Sequence, residues 1–220
     1  MAYILSLETT TTNCSVTLSN KEEILAVKEL NNANYSHAES LHVFISEVLK
    51  EANIEISKLD AIAVSKGPGS YTGLRIGVSA AKGLCFALDI PLISVSTLES
   101  LASQLEIDEG YIVPMLDARR MEVYSAIYDS KNNLVRDIKA QIIDESSFYE
   151  QLQKGPVYFI GNGVEKTQKI INHENVNFIM GKFPSSLQMV TLAYAKYTKS
   201  DTEDVAYFEP FYLKDFLVSK

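Results

Sequence analysis

The order of apolar and polar positions in the first quarter of the chain predicts three strands and a helix. Short runs of β-forming residues at 3–7, 14–18 and 24–29 are separated by polar turn formers, which is typical of an antiparallel meander. Over 36–52 the apolar residues recur at steps of three and four, and this spacing predicts an amphipathic helix. A capping box that begins at Ser36 fits the start of that helix.

The next segment alternates buried strands with helices. The apolar runs 59–67 and 91–96 predict strands that are buried on both faces, and 74–88 and 97–105 predict the helices that follow them. Such alternation indicates that the sheet continues with parallel strands covered by helices.

A second, smaller unit with the same kind of pattern is predicted from about residue 105. Its predicted strands are 111–119, 121–129, 134–143 and 156–161, and its predicted helices are 144–152, 164–171 and 185–199. The fold class predicted from these patterns is therefore α/β with two lobes of mixed sheet covered by helices, the second lobe reduced. We expect the lobes to span 1–104 and 105–220, and the tail over 205–220 could pack back on the first lobe.

The charge balance narrows the range of partners. The formal net charge of the 220-residue chain is −8, and an acidic chain binds phosphate backbones poorly because that affinity depends on clustered Lys and Arg. A role with nucleic acid would therefore need a basic partner.

The cysteines and the N-terminus point to the cytoplasm. Cys14 and Cys85 are far apart and lack CxxC spacing, so two buried thiols in a reducing compartment are expected. The N-terminal residues lack a basic region followed by a long apolar run, and no stretch approaches the roughly 18 apolar residues of a membrane span. We expect a cytoplasmic protein without a membrane partner.

A glycine-rich connection, SKGPGSYTGLRIGVSAAKG, lies between a predicted strand and a predicted helix at 65–83. The phosphate-loop pattern GxxxxGK[ST] fails because Thr72 stands where its second glycine belongs. The dinucleotide pattern GxGxxG is one residue too long here, and Pro68 has no N–H to offer. A structural loop is favoured over direct nucleotide binding, with the candidate residues Gly67, Pro68, Gly69, Tyr71, Thr72 and Gly73.

The helix after this loop carries unusually little side-chain bulk. Gly77, Ala80, Ala81 and Gly83 would let a neighbouring segment approach closely. Burial within the domain explains this composition, and contact with another subunit is the alternative.

The glycine-rich stretch resembles the signature of the TsaB (YeaZ) family, the dimerisation subunits of the bacterial complex that forms threonylcarbamoyladenosine in tRNA. The segments LETTTTNCSVTLS, SHAESLHVFISEVL, PLISVSTLESLA and DARRMEVYSAIY resemble further parts of the same family. The resemblance is dense over residues 3–129 and thin afterwards, apart from the tail around Pro210, Tyr212 and Leu213.

This resemblance implies the actin-like, sugar kinase and Hsp70 (ASKHA) fold and a subunit that is not catalytic by itself. It implies the partners TsaD and TsaE, a homodimer when the protein is alone, and contact with tRNA only within the complex. It also implies no cofactor of its own, because ATP and metal belong to the partner subunits. The implied partner interface lies on helices 36–52 and 74–88, with the candidates His37, Leu41, Phe44, Ile45, Val48, Arg75, Val78, Ala81, Lys82 and Cys85.

The histidines do not form the metal pair of the TsaD-like proteins, which use HxxxH on the first helix. His37 and His42 are five positions apart, which places them about 140° apart around a regular helix. Leu41 stands at the position of the second ligand. No metal site is therefore expected.

Two polar clusters leave alternatives open. Proteins of the actin-like fold grip nucleotide phosphates with an Asp-x-Gly hairpin near the N-terminus, whereas here Glu8 precedes four threonines without a glycine. Glu8, Thr9 and Thr10 are either a polar hairpin tip or contacts to a ligand. Arg119 and Arg120 are either a solvated turn or contacts to an acidic partner or RNA.

The alternative function is a self-sufficient nucleotide-using enzyme of the actin-like fold. A peptidase related to the M22 family is a less favoured alternative. The intact HExxH and GxSxG motifs that would support a peptidase or hydrolase do not occur in the sequence.

Overall fold

The computed structural model describes residues 1–32 and 37–214, which divide into two compact units. The first unit consists of residues 1–97 together with the chain from Pro184 onward, and the second consists of residues 98–183. The part of the proposed capping box at Ser36 lies outside the described residues. Across the described ranges, every helix is too short or too polar to cross a membrane.

The described residues form two five-stranded sheets and six α-helices. The strands are β1 (Tyr3–Glu8), β2 (Asn13–Asn20), β3 (Glu23–Asn31), β4 (Ala61–Gly67), β5 (Leu92–Ser96), β6 (Tyr111–Asp117), β7 (Glu122–Asp129), β8 (Leu134–Ile142), β9 (Val157–Ile160) and β10 (Val176–Ile179). The helices are α1 (His37–Ala52), α2 (Tyr71–Leu88), α3 (Thr97–Ala102), α4 (Tyr149–Leu152), α5 (Val164–Thr167) and α6 (Ser186–Thr198), and Ile56–Lys58 forms a 3₁₀ turn.

The two sheets share one topology. In each sheet three successive strands form an antiparallel meander, and two later strands then add in parallel beside the first strand of the meander. The strand orders are β3-β2-β1-β4-β5 and β8-β7-β6-β9-β10. The predicted meander, its parallel extension and the repeat of the pattern are therefore confirmed.

The core of the first unit lies on both faces of its sheet. On one face α1 and α2 cover apolar side chains that include Leu7, Val16 and Leu18. On the other face Met189 and Ala193 of α6 pack against β1, β4 and β5. β1 and β4 carry few polar side chains, so both of their faces need cover from water, and helices supply it on each side of the sheet.

Hydrogen bonds from polar positions of β2 hold the start of α6. The Ser15 hydroxyl accepts the Ser186 N–H at 2.7 Å, and the hydroxyls of Thr17 and Ser186 are 2.8 Å apart. The Asn13 side-chain amide donates to the Pro184 carbonyl at 2.9 Å. The alternation of apolar and hydroxyl residues along β2 thus serves a core on one face and a helix start on the other.

The division of the chain differs from the boundary at residue 104 that the sequence suggests. Leu98 and Leu101 of α3 are fully buried in the core of the second unit. The chain after Phe183 returns to the first unit because α6 covers one face of the first sheet. The restart of the strand pattern cannot show to which unit α3 and α6 belong, because that depends on which core each helix joins.

Helix α2 begins at Tyr71, three residues before the predicted start. Ser70 is its N-cap, and the Ser70 hydroxyl accepts the Gly73 N–H at 3.3 Å. The helix ends at Leu88, and its C-cap Asp89 adopts a left-handed conformation and donates its N–H to the Cys85 carbonyl. The sequence does not predict strand β10, because its four residues are too few to show a period and directly follow polar residues.

Candidate functional site

The turn between β1 and β2, residues 9–12, is seated against the glycine loop, residues 67–73. We refer to it as the threonine turn. The Ser70 N–H donates to the Thr10 carbonyl at 2.7 Å, and the Thr9 hydroxyl donates to the Gly73 carbonyl at 2.7 Å. Thr9, Thr10 and Thr11 are all buried. The threonine turn is therefore an internal contact between two backbone segments.

The glycines allow this contact because no side chain separates the two backbones. A Cβ atom at Gly73 would lie 2.0 Å from the Thr9 carbonyl oxygen, and one at Gly69 would lie 2.5 Å from the Thr10 Cβ. Both distances are far below van der Waals contact. The glycine loop is thus shaped to receive the chain's own turn, a contact that the sequence did not predict.

Donors at the start of α2 are engaged within the protein. The Ser70 N–H binds the threonine turn, the Gly73 N–H binds the Ser70 hydroxyl, and the Leu74 N–H donates to the Ser70 carbonyl at 2.8 Å. The N–H groups of Ser70 and Gly73 are thus directed to acceptors of the chain itself and not to a phosphate at the helix N-terminus. Of the other loop residues, Pro68 is buried, Tyr71 is half-buried and Thr72 is exposed.

Glu8 is fully buried at the end of β1 and accepts hydrogen bonds from its surroundings. Its Oε1 accepts the Thr10 N–H and the Thr10 hydroxyl, both at 2.6 Å, and its Oε2 accepts the Ser65 hydroxyl. Burial raises the pKa of the Glu8 carboxyl, while the hydrogen bonds from Ser65 and Thr10 act in the opposite direction. Ser65 on β4 was not singled out from the sequence, since a serine within an apolar strand carries no distinguishing signal.

The threonine turn also contacts the start of α1. His37 Nε2 lies 2.6 Å from the Thr11 carbonyl oxygen, and because a carbonyl oxygen only accepts, Nε2 carries the proton. Burial lowers the pKa of His37. His42, in contrast, is exposed. The two histidines therefore face different surroundings, and the described residues contain no group of three or more His, Cys, Asp or Glu side chains placed to hold a metal.

Most of the residues proposed for a partner interface belong instead to the core of the first unit. Six of them are buried there: Leu41, Ile45, Val48, Val78, Ala81 and Cys85. They cannot present a surface to a partner, and in this respect the sequence-based assignment is wrong. The low bulk of α2 is explained by packing on the sheet and on the threonine turn, because Ala81 is fully buried and Gly73 and Gly77 lie against Thr9.

The remaining proposed interface residues have different positions. His37 is buried, Phe44 is half-buried, and Arg75 is exposed with its guanidinium 5.4 Å above the Tyr71 ring. Lys82 is half-buried, and its ammonium donates to the Ala206 and Phe208 carbonyls at 3.1 and 2.9 Å. Lys82 thus binds the C-terminal segment of its own chain.

The exposed sides of α1 and α2 carry residues that the sequence analysis did not select. Val43 on α1 is 50% exposed and Phe86 on α2 is 86% exposed. We call these exposed sides the outer face of α1 and α2. A largely exposed phenylalanine on a helix cannot be distinguished from a core residue by periodicity when most faces of that helix are apolar.

Arg119 and Arg120 form the exposed turn between β6 and β7. The Arg119 N–H donates to Asp117 Oδ1 at 2.6 Å, and Lys166 pairs with the same carboxylate at 2.7 Å. Both arginines belong to the second unit, whereas Glu8, Thr9 and Thr10 belong to the first.

Comparisons with known proteins match one family model, named for TsaD, and relatives named TsaB or YeaZ. A family model described as "TsaD: tRNA N6-adenosine threonylcarbamoyltransferase" matches residues 30–217. A Haemophilus influenzae relative, named tRNA threonylcarbamoyladenosine biosynthesis protein TsaB, is 30% identical over 96% of this chain and 93% of its own length. The Bacillus subtilis relative of the same name is 33% identical over 76% and 74%. The structure of YeaZ from Pseudomonas aeruginosa has a TM-score of 0.85 at 25% identity, covering 97% of this chain and 100% of that chain.

Two sheets with the same meander and parallel extension, each covered by helices, define a protein of the actin-like (ASKHA) fold class. Within that class the similarity extends over nearly the whole chain and includes the signature at the glycine loop. The chain belongs to the TsaB (YeaZ) family.

The contact at Gly73 makes a prediction about stability. Gly73→Ala should lower the free energy of unfolding by roughly 1–3 kcal/mol or more, because the new methyl group would overlap the Thr9 carbonyl. Gly83→Ala is the matched control on the same helix, where a Cβ meets nothing within 4 Å, and it should raise stability by up to about 1 kcal/mol. Urea denaturation measures both, and equal effects would contradict the close contact.

Burial of Glu8 predicts a dependence of stability on pH. A raised native pKa means that the folded protein binds more protons than the unfolded chain in the interval between the two pKa values, so stability falls as pH rises through it. Glu8→Gln removes this titration. Its free energy of unfolding relative to the native chain should therefore increase as the pH rises above 4.5, the ordinary pKa of a glutamate carboxyl.

Denaturant titrations at several pH values measure this difference. Glu106→Gln, at an exposed position, is measured alongside to subtract the effect of removing one negative charge. Parallel curves for Glu8→Gln and the native chain would show that the Glu8 carboxyl does not titrate differently in the folded state.

Proposed function

We propose that this protein is a non-catalytic subunit required for the formation of threonylcarbamoyladenosine in tRNA. The relatives from Haemophilus influenzae and Bacillus subtilis are named for that pathway, and the matching family model is named for the transferase TsaD. In this proposal the chain pairs with a TsaD-type catalytic subunit and acts together with TsaE. ATP and metal are held by those partners, and tRNA is contacted within the complex.

The observation that carries the proposal is the state of the threonine turn. A hairpin that grips nucleotide phosphates needs free donors and space beside its tip. Here the Thr10 N–H and hydroxyl are directed to the chain's own Glu8, and the Thr9 and Thr10 carbonyls lie against the glycine loop. This packing supports a scaffold rather than a stand-alone nucleotide-using enzyme.

The outer face of α1 and α2 is the surface that we propose for the TsaD-type partner. Val43 and Phe86 place large apolar side chains in solvent on the helices that cover one face of the first sheet. Contiguous exposed apolar patches are a feature of interaction surfaces, and in this proposal Val43 and Phe86 belong to one such patch. When the protein is alone, the same face could pair with a second copy.

Reconstitution from purified components tests the function. A mixture of this chain, a TsaD-type subunit, TsaE, threonylcarbamoyl-AMP and substrate tRNA should form the modified nucleoside, and omission of this chain should reduce formation to background. Size exclusion of the chain with the TsaD-type subunit should show co-elution at micromolar concentrations.

Two results of the same experiment would contradict the proposal. One is full modification without this chain, and the other is turnover of ATP by this chain alone at a rate unaffected by the partners. Calorimetry with ATP and magnesium on the isolated chain measures the binding that the second result requires.

A substitution pair tests the surface separately from the function. Val43→Asp with Phe86→Asp should leave the chain folded, because both side chains are exposed, and should weaken co-assembly by about tenfold or more if they lie at the centre of the interface. Leu134→Asp with Ile142→Asp introduces the same charge at two exposed apolar positions of the second unit and should leave assembly unchanged. Unimpaired assembly of the Val43 and Phe86 variant would exclude the outer face as the partner surface.

A further inference from the structure

The turn between β6 and β7, residues 118–121, holds two adjacent arginines in an unfavourable backbone conformation. We call it the arginine turn. Arg119 has φ 70° and Arg120 has φ 49°, both in the left-handed region that Gly and Asn enter at a lower cost. A turn whose only task was to reverse the chain would be more stable with those residues. The arginine side chains therefore supply something that the turn itself does not need.

A lysine beneath the turn holds its backbone in this conformation. Lys166 Nζ donates to Asp117 Oδ1 at 2.7 Å, to the Arg120 carbonyl at 2.9 Å and to the Glu122 carbonyl at 2.6 Å. Its side chain is only 13% exposed. Asp117 Oδ1 also accepts the Arg119 N–H at 2.6 Å. The turn is thus fixed by Lys166 and Asp117, and neither guanidinium takes part.

Both guanidinium groups are available for a ligand. Arg119 and Arg120 are exposed, and within residues 1–32 and 37–214 their guanidinium groups form no hydrogen bond or ion pair. Of the two acidic residues that flank the turn, Asp117 is engaged by Lys166, and the Glu122 side chain is half-buried. Two positive charges on a fixed turn therefore face solvent in a chain whose net charge is −8.

We infer that the arginine turn binds the phosphodiester backbone of RNA. A guanidinium presents a planar fork of donors that matches two phosphate oxygens, and a fixed backbone lowers the cost of ordering it. This inference rests on the proposed function, in which tRNA is the polyanion that the complex receives. The surface that we propose for the TsaD-type partner is the outer face of α1 and α2, in the other unit. Because the chain is acidic, we expect the contact to add to binding by the whole complex and not to act alone.

The test uses the complex assembled with the TsaD-type subunit and TsaE. Arg119→Asn with Arg120→Gly removes both charges and places at each position a residue suited to its φ value. The affinity for tRNA should fall about tenfold, and the slope of log K against log salt should shrink by roughly 1–2 if each arginine contacts one phosphate. The melting temperature of the chain should not fall, and a purely structural role for the arginines predicts the opposite.

Lys131→Ala with Lys154→Ala is the matched control. Both lysines are exposed in the second unit, and the substitution changes the net charge by the same amount. The control complex should bind tRNA with nearly native affinity and an unchanged salt slope. An equal loss in the control and in the arginine variant would overturn the inference, since general charge would then explain both.

Three other outcomes also overturn it. Unchanged affinity for tRNA and an unchanged salt slope exclude a phosphate contact at the arginine turn. Weaker assembly with unchanged affinity for tRNA assigns the turn to an acidic protein surface instead. Weaker binding of ATP with unchanged affinity for tRNA assigns it to free nucleotide. In each case a variant complex that still modifies saturating tRNA leaves the proposed function standing, so the two failures are distinguishable.

Discussion

The seating of the threonine turn on the glycine loop is the contact on which the arrangement of the first unit depends. Its Thr10 carbonyl accepts the Ser70 N–H and its Thr9 hydroxyl donates to the Gly73 carbonyl, both at the start of α2. Its Thr11 carbonyl binds His37 at the start of α1. The same four-residue turn therefore sets where both helices begin. Since the outer face of α1 and α2 is the proposed partner surface, a contact buried inside the unit determines the geometry of a surface outside it.

The corresponding hairpins of the two units have the same topology, but the turn of the first is buried and the turn of the second is exposed. The first strand of each unit ends in an acidic residue, Glu8 in β1 and Asp117 in β6. Glu8 is buried and accepts hydrogen bonds from neighbouring hydroxyls and an amide, whereas Asp117 stays partly exposed and pairs with Lys166. The first turn consequently packs inward, and the second presents its side chains to solvent.

The sequence predicts the positions of the helices and strands well, but it predicts poorly which faces of the helices are buried and which are exposed. The meanders, the long helices and the parallel strands other than β10 follow from apolar runs and periodicity, whereas the four residues of β10 are too few to show a pattern. The burial of Ala81 in the core does not follow from the sequence. Low side-chain bulk fits both a tight internal contact and a tight interface, and only the position of the sheet decides between them. Phe86 was missed for the same reason, and Ser65 because its partner Glu8 is distant in sequence.

The placement of the glycines explains how the threonine turn packs against the glycine loop. In a phosphate-gripping hairpin the small residues belong to the turn itself, so that its amides can approach the ligand. Here the turn carries threonines, and the glycines stand on the opposing loop at Gly69 and Gly73. That exchange brings two protein backbones together where a ligand would otherwise need room, and the Glu8 carboxylate takes the hydrogen bonds that an anion would receive. A hairpin built in this way retains the fold while its tip serves to position α1 and α2.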